Sequence, residues 1–374
     1  MRLEPAVPEA VLAAMRAPLL AAGSQPAEPP LTLPLGLMLD LAGEATRARL
    51  FVVQAAGGEE LCLRPDFTVG IARTHLRSGD RDGLYSYDGQ AYRAAPDGAE
   101  PEAFVQLGLE RLSNGGRDHL ADETEIVALA WRAAAAGGRE DLTLRLGDVA
   151  LFGAFLQALG APEALSARLM RLAGRPRLLQ AELDRDIQAG SGGALAARLS
   201  GLSEAEAGAL LEEVWSLAGI EPVGGRGAGE IAARLVRRAD AARAPSLSVE
   251  QAEAVRAFLG VEASPEVAFA DIRALAGRNA PGLDAAVSAW ERRLASLRSV
   301  IPANRMGFAT ALGHAFDYYD GLTFEVLSGA LGSARPVASG GRYDGLMSRL
   351  GGEAGLTAVG GMVRPWRAWS GGQS

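Results

Sequence analysis

Strand-like patterns occur in two widely separated parts of this chain, and a long helix-like stretch lies between them. Short runs with alternating apolar positions occur in residues 50–148 and 301–363, whereas residues 161–300 are rich in Ala, Leu, Arg and Glu and contain almost no such runs. Alternation is typical of half-buried strands, and apolar residues three or four apart are typical of helices. We therefore expect a core domain formed by residues 1–160 and 301–374, with a helical insertion domain formed by residues 161–300.

The core is expected to have an α+β fold in which a mainly antiparallel sheet is flanked by helices. The runs LFVVQAA (50–56) and ELCLRP (60–65) flank two glycines, which indicates two strands joined by a tight turn. The segment AFVQLGLERLS, which begins at Ala103, alternates as a strand does. The segment ADETEIVALAWRAAAAGG, which begins at Ala121, has acidic residues in its first turn and glycines past its end, as helices do.

Composition and charge exclude several classes of protein. With 374 residues, of which 48% are hydrophobic, the chain can form more than one domain, because single domains usually have roughly 100–200 residues. The net charge of −8 argues against a large nucleic-acid-binding surface, which needs clustered Lys and Arg. The single cysteine, Cys62, and the three histidines have no metal-ligand spacing, and there is no signal peptide and no run of about 18 apolar residues. We expect a cytoplasmic protein with no metal and no cofactor.

Four short motifs, far apart in the chain, resemble those of histidyl-tRNA synthetases. LRPDFT (63–68) is similar to the LRPEGT of that family, QLGLE (106–110) to its QxGxE and DYYDGLTFE (317–325) to its DYYxGTVFE, while GGRYDGL (340–346) occurs there essentially as written. Each motif is weak alone, but the combination is specific. The resemblance implies a core with the fold of class II aminoacyl-tRNA synthetases.

The resemblance also implies a pocket for histidine, and the residue types in the motifs suit that ligand. Asp66, Thr68 and Gln106 offer a carboxylate, a hydroxyl and an amide oxygen for an α-ammonium group. Glu110 and Tyr319 offer an acceptor and a polar group for the two nitrogens of an imidazole ring. Gln106 and Glu110 are four residues apart, so on a strand both side chains point to one face. Alternation alone would equally make them exposed polar residues on a half-buried sheet.

Further candidates for the pocket are Arg93, His314, Tyr318 and Arg342. Arg93 matches an arginine of the synthetases, and Tyr318 and Arg342 belong to the motifs. His314 stands three residues before the DYY motif, where the synthetases have an arginine that binds the carboxylate of the amino acid. Imidazole cannot supply the bidentate and permanently cationic fork of arginine. His314, Arg73 and Arg342 are therefore all candidates for the partner of a histidine carboxylate.

The elements that hold ATP in the synthetases depart from the family pattern. In AYRAAPDGAEPEAF (91–104) the acid that should follow the matched arginine is replaced by Ala95, and the next arginine pair is missing. The final motif reads GGMVRPWRAW (360–369), in which proline and tryptophan are not typical of the family. We therefore expect no catalytic residues. Because no anticodon-binding segment follows, we also expect no tRNA partner.

A histidine pocket without ATP elements resembles the regulatory subunits of ATP phosphoribosyltransferase, which are paralogues of the synthetases. The resemblance implies a non-catalytic chain that forms a hetero-oligomer with the short-form catalytic subunit of ATP phosphoribosyltransferase. It implies that the chain is needed for the first step of histidine biosynthesis and mediates feedback inhibition by L-histidine. It also implies self-association through the class II dimer surface, and no membrane partner.

Two functions from other classes stay open. The first is a truncated class II ligase that activates histidine for an acceptor other than tRNA, against which Ala95 and His314 argue. The second is a binding module without a small ligand, in which the fold serves only as a dimerisation or scaffold element. The five polar pocket positions argue against it, because a scaffold has no need to bury polar side chains.

Overall fold

The chain divides into two compact units. The first consists of Met1–Ala158 and Ala257–Ser374, and the second of Leu159–Arg256. The part of the chain that the computed structural model describes comprises residues 1–96, 98, 100–114, 119–173, 175–184, 204–218, 247–277, 280–312, 318–353 and 355–372. In these segments, no helix is both long enough and apolar enough to span a membrane.

The first unit alternates helices and strands before the chain enters the second unit. Its elements are α1 (Glu9–Ala21), β1 (Gln25–Pro26), β2 (Thr32–Pro34), α2 (Leu35–Ala42), a 3₁₀ helix (Glu44–Arg49), β3 (Val52–Gln54), β4 (Glu60–Leu63), α3 (Thr68–Ser78), β5 (Gly83–Tyr92), β6 (Ala103–Asn114), α4 (His119–Ala135), β7 (Leu142–Asp148) and α5 (Val149–Ala158).

The second unit is helical in its described part, and the chain then returns to the first unit. The helices are α6 (Glu163–Leu172), α7 (Pro176–Leu183), α8 (Glu204–Ala218) and α9 (Val249–Leu259), the last of which begins in the second unit. The remaining elements are β8 (Glu262–Ala263), α10 (Pro265–Ala276), α11 (Pro281–Leu297), a 3₁₀ helix (Ala303–Arg305), β9 (Met306–Ala309), β10 (Leu322–Ser328), β11 (Ala338–Arg342), α12 (Asp344–Arg349), β12 (Leu356–Val363) and α13 (Pro365–Ala368).

A large mixed sheet organises the first unit. Among the described residues it has nine strands in the order β1-β5-β6-β12-β11-β10-β7-β9-β8. The six strands from β5 to β7 in this order are antiparallel to their neighbours, whereas β1 pairs with β5, and β9 with β7, in parallel. A separate small sheet has the order β2-β4-β3. The α+β class and the mainly antiparallel sheet that the sequence predicted are therefore confirmed.

Paired glycines at the centre of the large sheet leave room on both of its faces. Gly360 on β12 lies opposite Glu110 on β6, and an added Cβ at Gly360 would fall 1.6 Å from a carboxylate oxygen of Glu110. Its neighbour Gly361 faces the opposite side, where an added Cβ would meet Phe324 at 2.8 Å and Ile126 of α4 at 3.4 Å. These glycines thus let α4 pack closely on one face and let a carboxylate lie flat against the other.

Residues 257–300 belong to the first unit, although their sequence pattern suggested the helical insertion. Aromatic contacts explain their position, because the Trp290 ring of α11 packs edge-on against Phe308 of β9 with centroids 5.0 Å apart. Phe269 of α10 contacts Phe308 in the same way at 4.9 Å. The indole Nε1 of Trp290 also donates a hydrogen bond to Asp148 Oδ2 at 2.6 Å. Amphipathic helices of a core and of an insertion have the same periodicity, so the pattern alone could not separate them.

In the second unit, α6 and α7 pack through leucines. Leu165 and Leu169 of α6 are buried, as are Leu179 and Leu183 of α7. The spacing of each pair, four residues, places its members on one helix face. An ion pair between these helices joins Arg168 Nη2 of α6 to Glu182 Oε1 of α7 at 2.6 Å.

Candidate functional site

A polar cavity of about 480 Å³ opens on the face of the large sheet that Glu110 occupies. Four parts of the chain form it: the turn from β4 into α3, the strands β5 and β6, the segment before β10, and the glycine-containing strands β11 and β12. The lining residues are Asp66, Thr68, Tyr87, Arg93, Gln106, Glu110, Tyr318, Tyr319, Ser339, Gly360, Gly361 and Met362. We call this space the amino-acid cavity.

The structure brings together in this cavity all five side chains that the sequence analysis assigned to histidine binding. They are Asp66, Thr68, Gln106, Glu110 and Tyr319. Arg93 and Tyr318, two of the further candidates, line the same cavity. His314 lies outside the described residues.

Arg342, a further candidate for the pocket, is not among the residues that line the amino-acid cavity. Its guanidinium group forms a 2.5 Å ion pair with Asp344 and lies 3.2 Å from a carboxylate oxygen of Glu123. Asp344 in turn accepts a hydrogen bond from the backbone N–H of Ala358. Arg342 thus joins α4 to the turn that follows β11. The motif GGRYDGL could not reveal this, because its side chains alternate between the two faces of the sheet.

Gln106 brings hydrogen-bonding groups without partners among the described residues into the lining of the cavity. The side chain is fully buried on β6, and within the described residues neither its amide oxygen nor its amide nitrogen has a hydrogen-bond partner. A buried amide without partners costs about 1–3 kcal/mol relative to a bonded one. A ligand that offered both a donor and an acceptor would recover this cost.

Glu110 lies at the base of the cavity and is held by two hydroxyl groups. Thr68 Oγ1 donates to Glu110 Oε1 at 2.7 Å, and the Tyr343 hydroxyl donates to Glu110 Oε2 at 2.5 Å. Burial raises the pKa of Glu110 to about 8, although these hydrogen bonds act in the opposite direction. Burial in this cavity therefore works against the charged form of Glu110.

Asp66 and Arg93 place opposite charges beside the same cavity. Burial raises the pKa of Asp66, while the neighbouring charge of Arg93 lowers it. Burial lowers the pKa of Arg93, and the charge of Asp66 raises it. Arg93 is fixed by a hydrogen bond from its Nε to the carbonyl oxygen of Pro65 at 2.8 Å. The cavity therefore offers one group for a cation and one for an anion.

Tyrosines form much of the apolar wall, and two of them were not assigned from the sequence. Tyr318 and Tyr319 have ring centroids 4.9 Å apart, and Tyr87 stacks on Phe67 at 4.5 Å. Tyr87 lines the cavity directly, whereas Tyr343 acts through its hydrogen bond to Glu110. The alternation in GLYSYDGQAY could have indicated that Tyr87 shares a face with other inward side chains, but not which cavity that face adjoins.

Comparisons with known proteins identify the family of this chain. The model of the histidyl-tRNA synthetase family matches residues 7–213 and 230–365. An ATP phosphoribosyltransferase regulatory subunit from Brucella anthropi is 32% identical over 89% of this chain and 89% of its own length. The protein of the same name from Mesorhizobium japonicum is 33% identical over 90% of this chain and 88% of its own length. The chain belongs to the family of ATP phosphoribosyltransferase regulatory subunits. Membership of this family, which the sequence motifs predicted, gives the chain a regulatory role.

Solved structures show the same fold across this family and the synthetases. An ATP phosphoribosyltransferase regulatory subunit/histidyl-tRNA synthetase from Bacillus halodurans C aligns with a TM-score of 0.65 and 20% identity, covering 99% of this chain and 82% of that one. A histidyl-tRNA synthetase from Nostoc sp. PCC 7120 aligns with a TM-score of 0.61 and 16% identity, covering 96% of this chain and 70% of that one. The first unit thus has a class II synthetase-like core.

Proposed function

We propose that the chain binds L-histidine in the amino-acid cavity and thereby regulates a separate catalytic subunit of ATP phosphoribosyltransferase. The observation that carries this proposal is the buried amide of Gln106, which has no hydrogen-bond partner among the described residues and lies on the same strand as Glu110. The α-ammonium group of the ligand bonds Asp66, Thr68 and Gln106. Its imidazole ring bonds Glu110 and Tyr319.

Glu110 and the imidazole ring have complementary proton affinities. Free imidazole has a pKa of about 6.5, and the pKa of Glu110 is about 8, so near pH 7 the pair holds one proton before binding. That proton joins the two groups in a hydrogen bond, which is charge-assisted when the imidazole ring carries the proton. An analogue that lacks the ring nitrogens would leave Glu110 with no new partner, and this difference gives specificity for histidine.

The partner we propose is the short-form catalytic subunit, in a hetero-oligomer that carries out the first step of histidine biosynthesis in the cytoplasm. The chain also associates with a second copy of itself through the class II dimer surface. Histidine inhibits the hetero-oligomer because histidine binds the inactive state of this assembly more tightly than the active state. A coupling of about 1–3 kcal/mol between the two sites is sufficient for such feedback.

The chain does not carry out adenylation in this proposal. The position of an acid that holds ATP in the synthetases is occupied by Ala95, whose methyl group can neither bind a metal ion nor accept a hydrogen bond. His314 stands where those enzymes have a carboxylate-binding arginine. The competing function, a truncated ligase that activates histidine, requires histidine-dependent exchange between ATP and pyrophosphate. We expect no such exchange.

The test is to combine the purified chain with a short-form catalytic subunit from the same genome and to measure product formation from ATP and phosphoribosyl pyrophosphate. The expected result is activation by the chain, followed by inhibition when histidine is added. The Glu110→Ala variant should still activate but should no longer respond to histidine. Absence of both activation and complex formation would disprove the regulatory role, and a histidine-sensitive Glu110→Ala assembly would disprove the assignment of the cavity.

A further inference from the structure

One aromatic ring supports the wall of the amino-acid cavity without being part of its lining. Phe67 lies between Asp66 and Thr68 in the turn from β4 into α3, and it is only 1% exposed. It is not among the described residues that line the cavity. Its ring stacks on the ring of Tyr87, which does line the cavity, with centroids 4.5 Å apart and planes within 6° of parallel. Phe67 therefore stands one layer behind the cavity wall.

The Tyr87 ring lies between two of the proposed ligand residues. Gln106, Gly108 and Glu110 alternate along β6, so all three positions belong to the face of the sheet on which the cavity opens. Tyr87 pairs with Gly108 across the β5–β6 ladder, and a Cβ added at Gly108 would overlap the ring and hydroxyl of Tyr87. The ring thus takes the place that a side chain at position 108 would fill. A shift of this ring would change the space between Gln106 and Glu110.

The Phe67 ring is itself held in place by neighbouring groups. The guanidinium Cζ of Arg64 lies 4.1 Å from the ring centroid, which is the distance of a cation–π contact. Arg64 donates hydrogen bonds to the carbonyl oxygens of Gln90 at 3.0 Å and Pro29 at 2.8 Å, and these fix the guanidinium group. Gly89 leaves room for the edge of the ring, because an added Cβ there would fall 2.9 Å from Phe67 Cζ. We call Arg64, Phe67 and Tyr87 the aromatic stack.

The aromatic stack requires a ring at position 67. In LRPEGT, the synthetase motif that LRPDFT resembles, a glycine stands at this position. A glycine has no side chain that could contact Arg64 or support Tyr87. This part of the cavity wall therefore depends on a residue at which the chain departs from that motif.

We propose that Phe67 is a positioning residue for ligand binding, which together with Arg64 holds the Tyr87 ring at the wall of the amino-acid cavity before the ligand arrives. This inference rests on the proposed binding of histidine in that cavity. A side chain that is already ordered in the unliganded protein loses little freedom on binding, so a preorganised wall increases the affinity. Phe67 thus contributes to histidine binding through Tyr87.

Calorimetric titration of the full chain with L-histidine tests this proposal in the variant Phe67→Leu. Leucine keeps an apolar side chain at position 67 but cannot stack on Tyr87. The variant should bind histidine roughly tenfold more weakly, because the loss of the aromatic pair frees a side chain of the wall. The unaltered chain is titrated first, since its failure to bind histidine would disprove the proposed function rather than the role of Phe67.

Phe155→Leu is the matched control. Phe155 is fully buried on α5 and stacks on Phe258 with centroids 4.4 Å apart, and neither of these two residues lines the cavity. The control also loses a stacked pair, so its thermal unfolding should show a similar loss of stability, whereas its Kd for histidine should be that of the unaltered chain. If Phe67→Leu does not fold, Phe67→Met takes its place in the same comparison. The proposal is disproved if the position-67 variant binds histidine as tightly as the control.

A double-mutant cycle tests whether Phe67 acts through Tyr87. In a Tyr87→Leu background no ring remains for Phe67 to hold, so the addition of Phe67→Leu should change the Kd for histidine by less than about twofold. A further tenfold loss of affinity in that background would mean that Phe67 acts independently of Tyr87, and it would overturn the proposal.

Discussion

Two buried polar clusters lie in the first unit, and they differ in whether their members satisfy one another. In the cluster around Glu123 the charged groups pair with one another, since the Glu123 carboxylate contacts Arg293 at 2.5 Å and Arg342 at 3.2 Å. We call this the closed cluster. Around Glu110 the cluster is open, because Gln106 on the same strand has no partner in the described residues. A closed cluster stabilises the fold, whereas an open one retains unsatisfied groups that a ligand can bind.

The largest effect is expected in the closed cluster. Glu123→Ala would leave the buried Arg293 and its neighbour Arg342 without their shared carboxylate, and breaking a buried ion pair from one side costs about 3–5 kcal/mol. We expect the free energy of unfolding, measured by denaturant titration, to fall by this amount. Where the variant remains folded, its dissociation constant for histidine should not change. If the variant bound histidine more weakly but kept its stability, the cluster around Glu123 would serve ligand binding rather than the fold, contrary to this prediction.

Glu110→Ala should mainly weaken histidine binding, whereas Glu123→Ala should mainly lower stability. Loss of the acceptor for the imidazole ring is expected to weaken histidine binding by about 2–3 kcal/mol, a roughly 30- to 150-fold higher Kd by calorimetry. Glu125→Ala is the control, because Glu125 is a half-buried carboxylate on α4 that pairs with Arg111 outside the cavity. Equal affinities in the two variants would show that the open cluster does not bind the ring.

Gln106→Leu separates binding from stability more sharply than either carboxylate variant. Because the buried amide has no partner in the described residues, an apolar side chain of similar size should stabilise the unliganded protein by about 1–2 kcal/mol. The same change removes two hydrogen-bonding groups from the cavity and should raise the Kd for histidine roughly tenfold. Thermal unfolding with and without histidine measures both effects. A decrease in the stability of the unliganded variant would mean that Gln106 serves the fold.

The sequence patterns predicted the fold class, and the resemblance to the synthetases identified the five proposed ligand residues that line one cavity. Asp66, Gln106 and Tyr319 lie in short motifs whose local geometry is set by a strand or a turn, and such motifs keep their spacing in any chain with this fold. The positions of Arg342 and Arg364 depend instead on pairings between distant segments, namely Arg342 with Glu123 and Arg364 with Glu4. No local pattern encodes those contacts. The same limit applies to residues 257–300, whose helices are joined to the core by aromatic packing and by contacts such as Arg293 with Glu123.

The smallest effect we predict is the pH dependence that the open cluster gives to histidine binding. The pKa of Glu110 is about 8, and that of an unperturbed histidine side chain is about 6.5. Between these values the two partners together hold the one proton that their hydrogen bond needs. Below about pH 6.5 a proton must be released on binding, and above about pH 8 one must be taken up, so the Kd should rise toward tenfold per pH unit on either side.

The upper limb of this profile belongs to Glu110, so Glu110→Gln should abolish it and leave the lower limb, which arises from the ligand. Calorimetry in buffers of different ionisation enthalpy would detect the proton taken up above pH 8 in the unaltered chain. If affinity instead rose up to about pH 8 and then levelled off, the bound ring would be a neutral donor to an ionised carboxylate. The open cluster would then bind histidine without sharing a proton, and its raised pKa would be a property of the empty cavity alone.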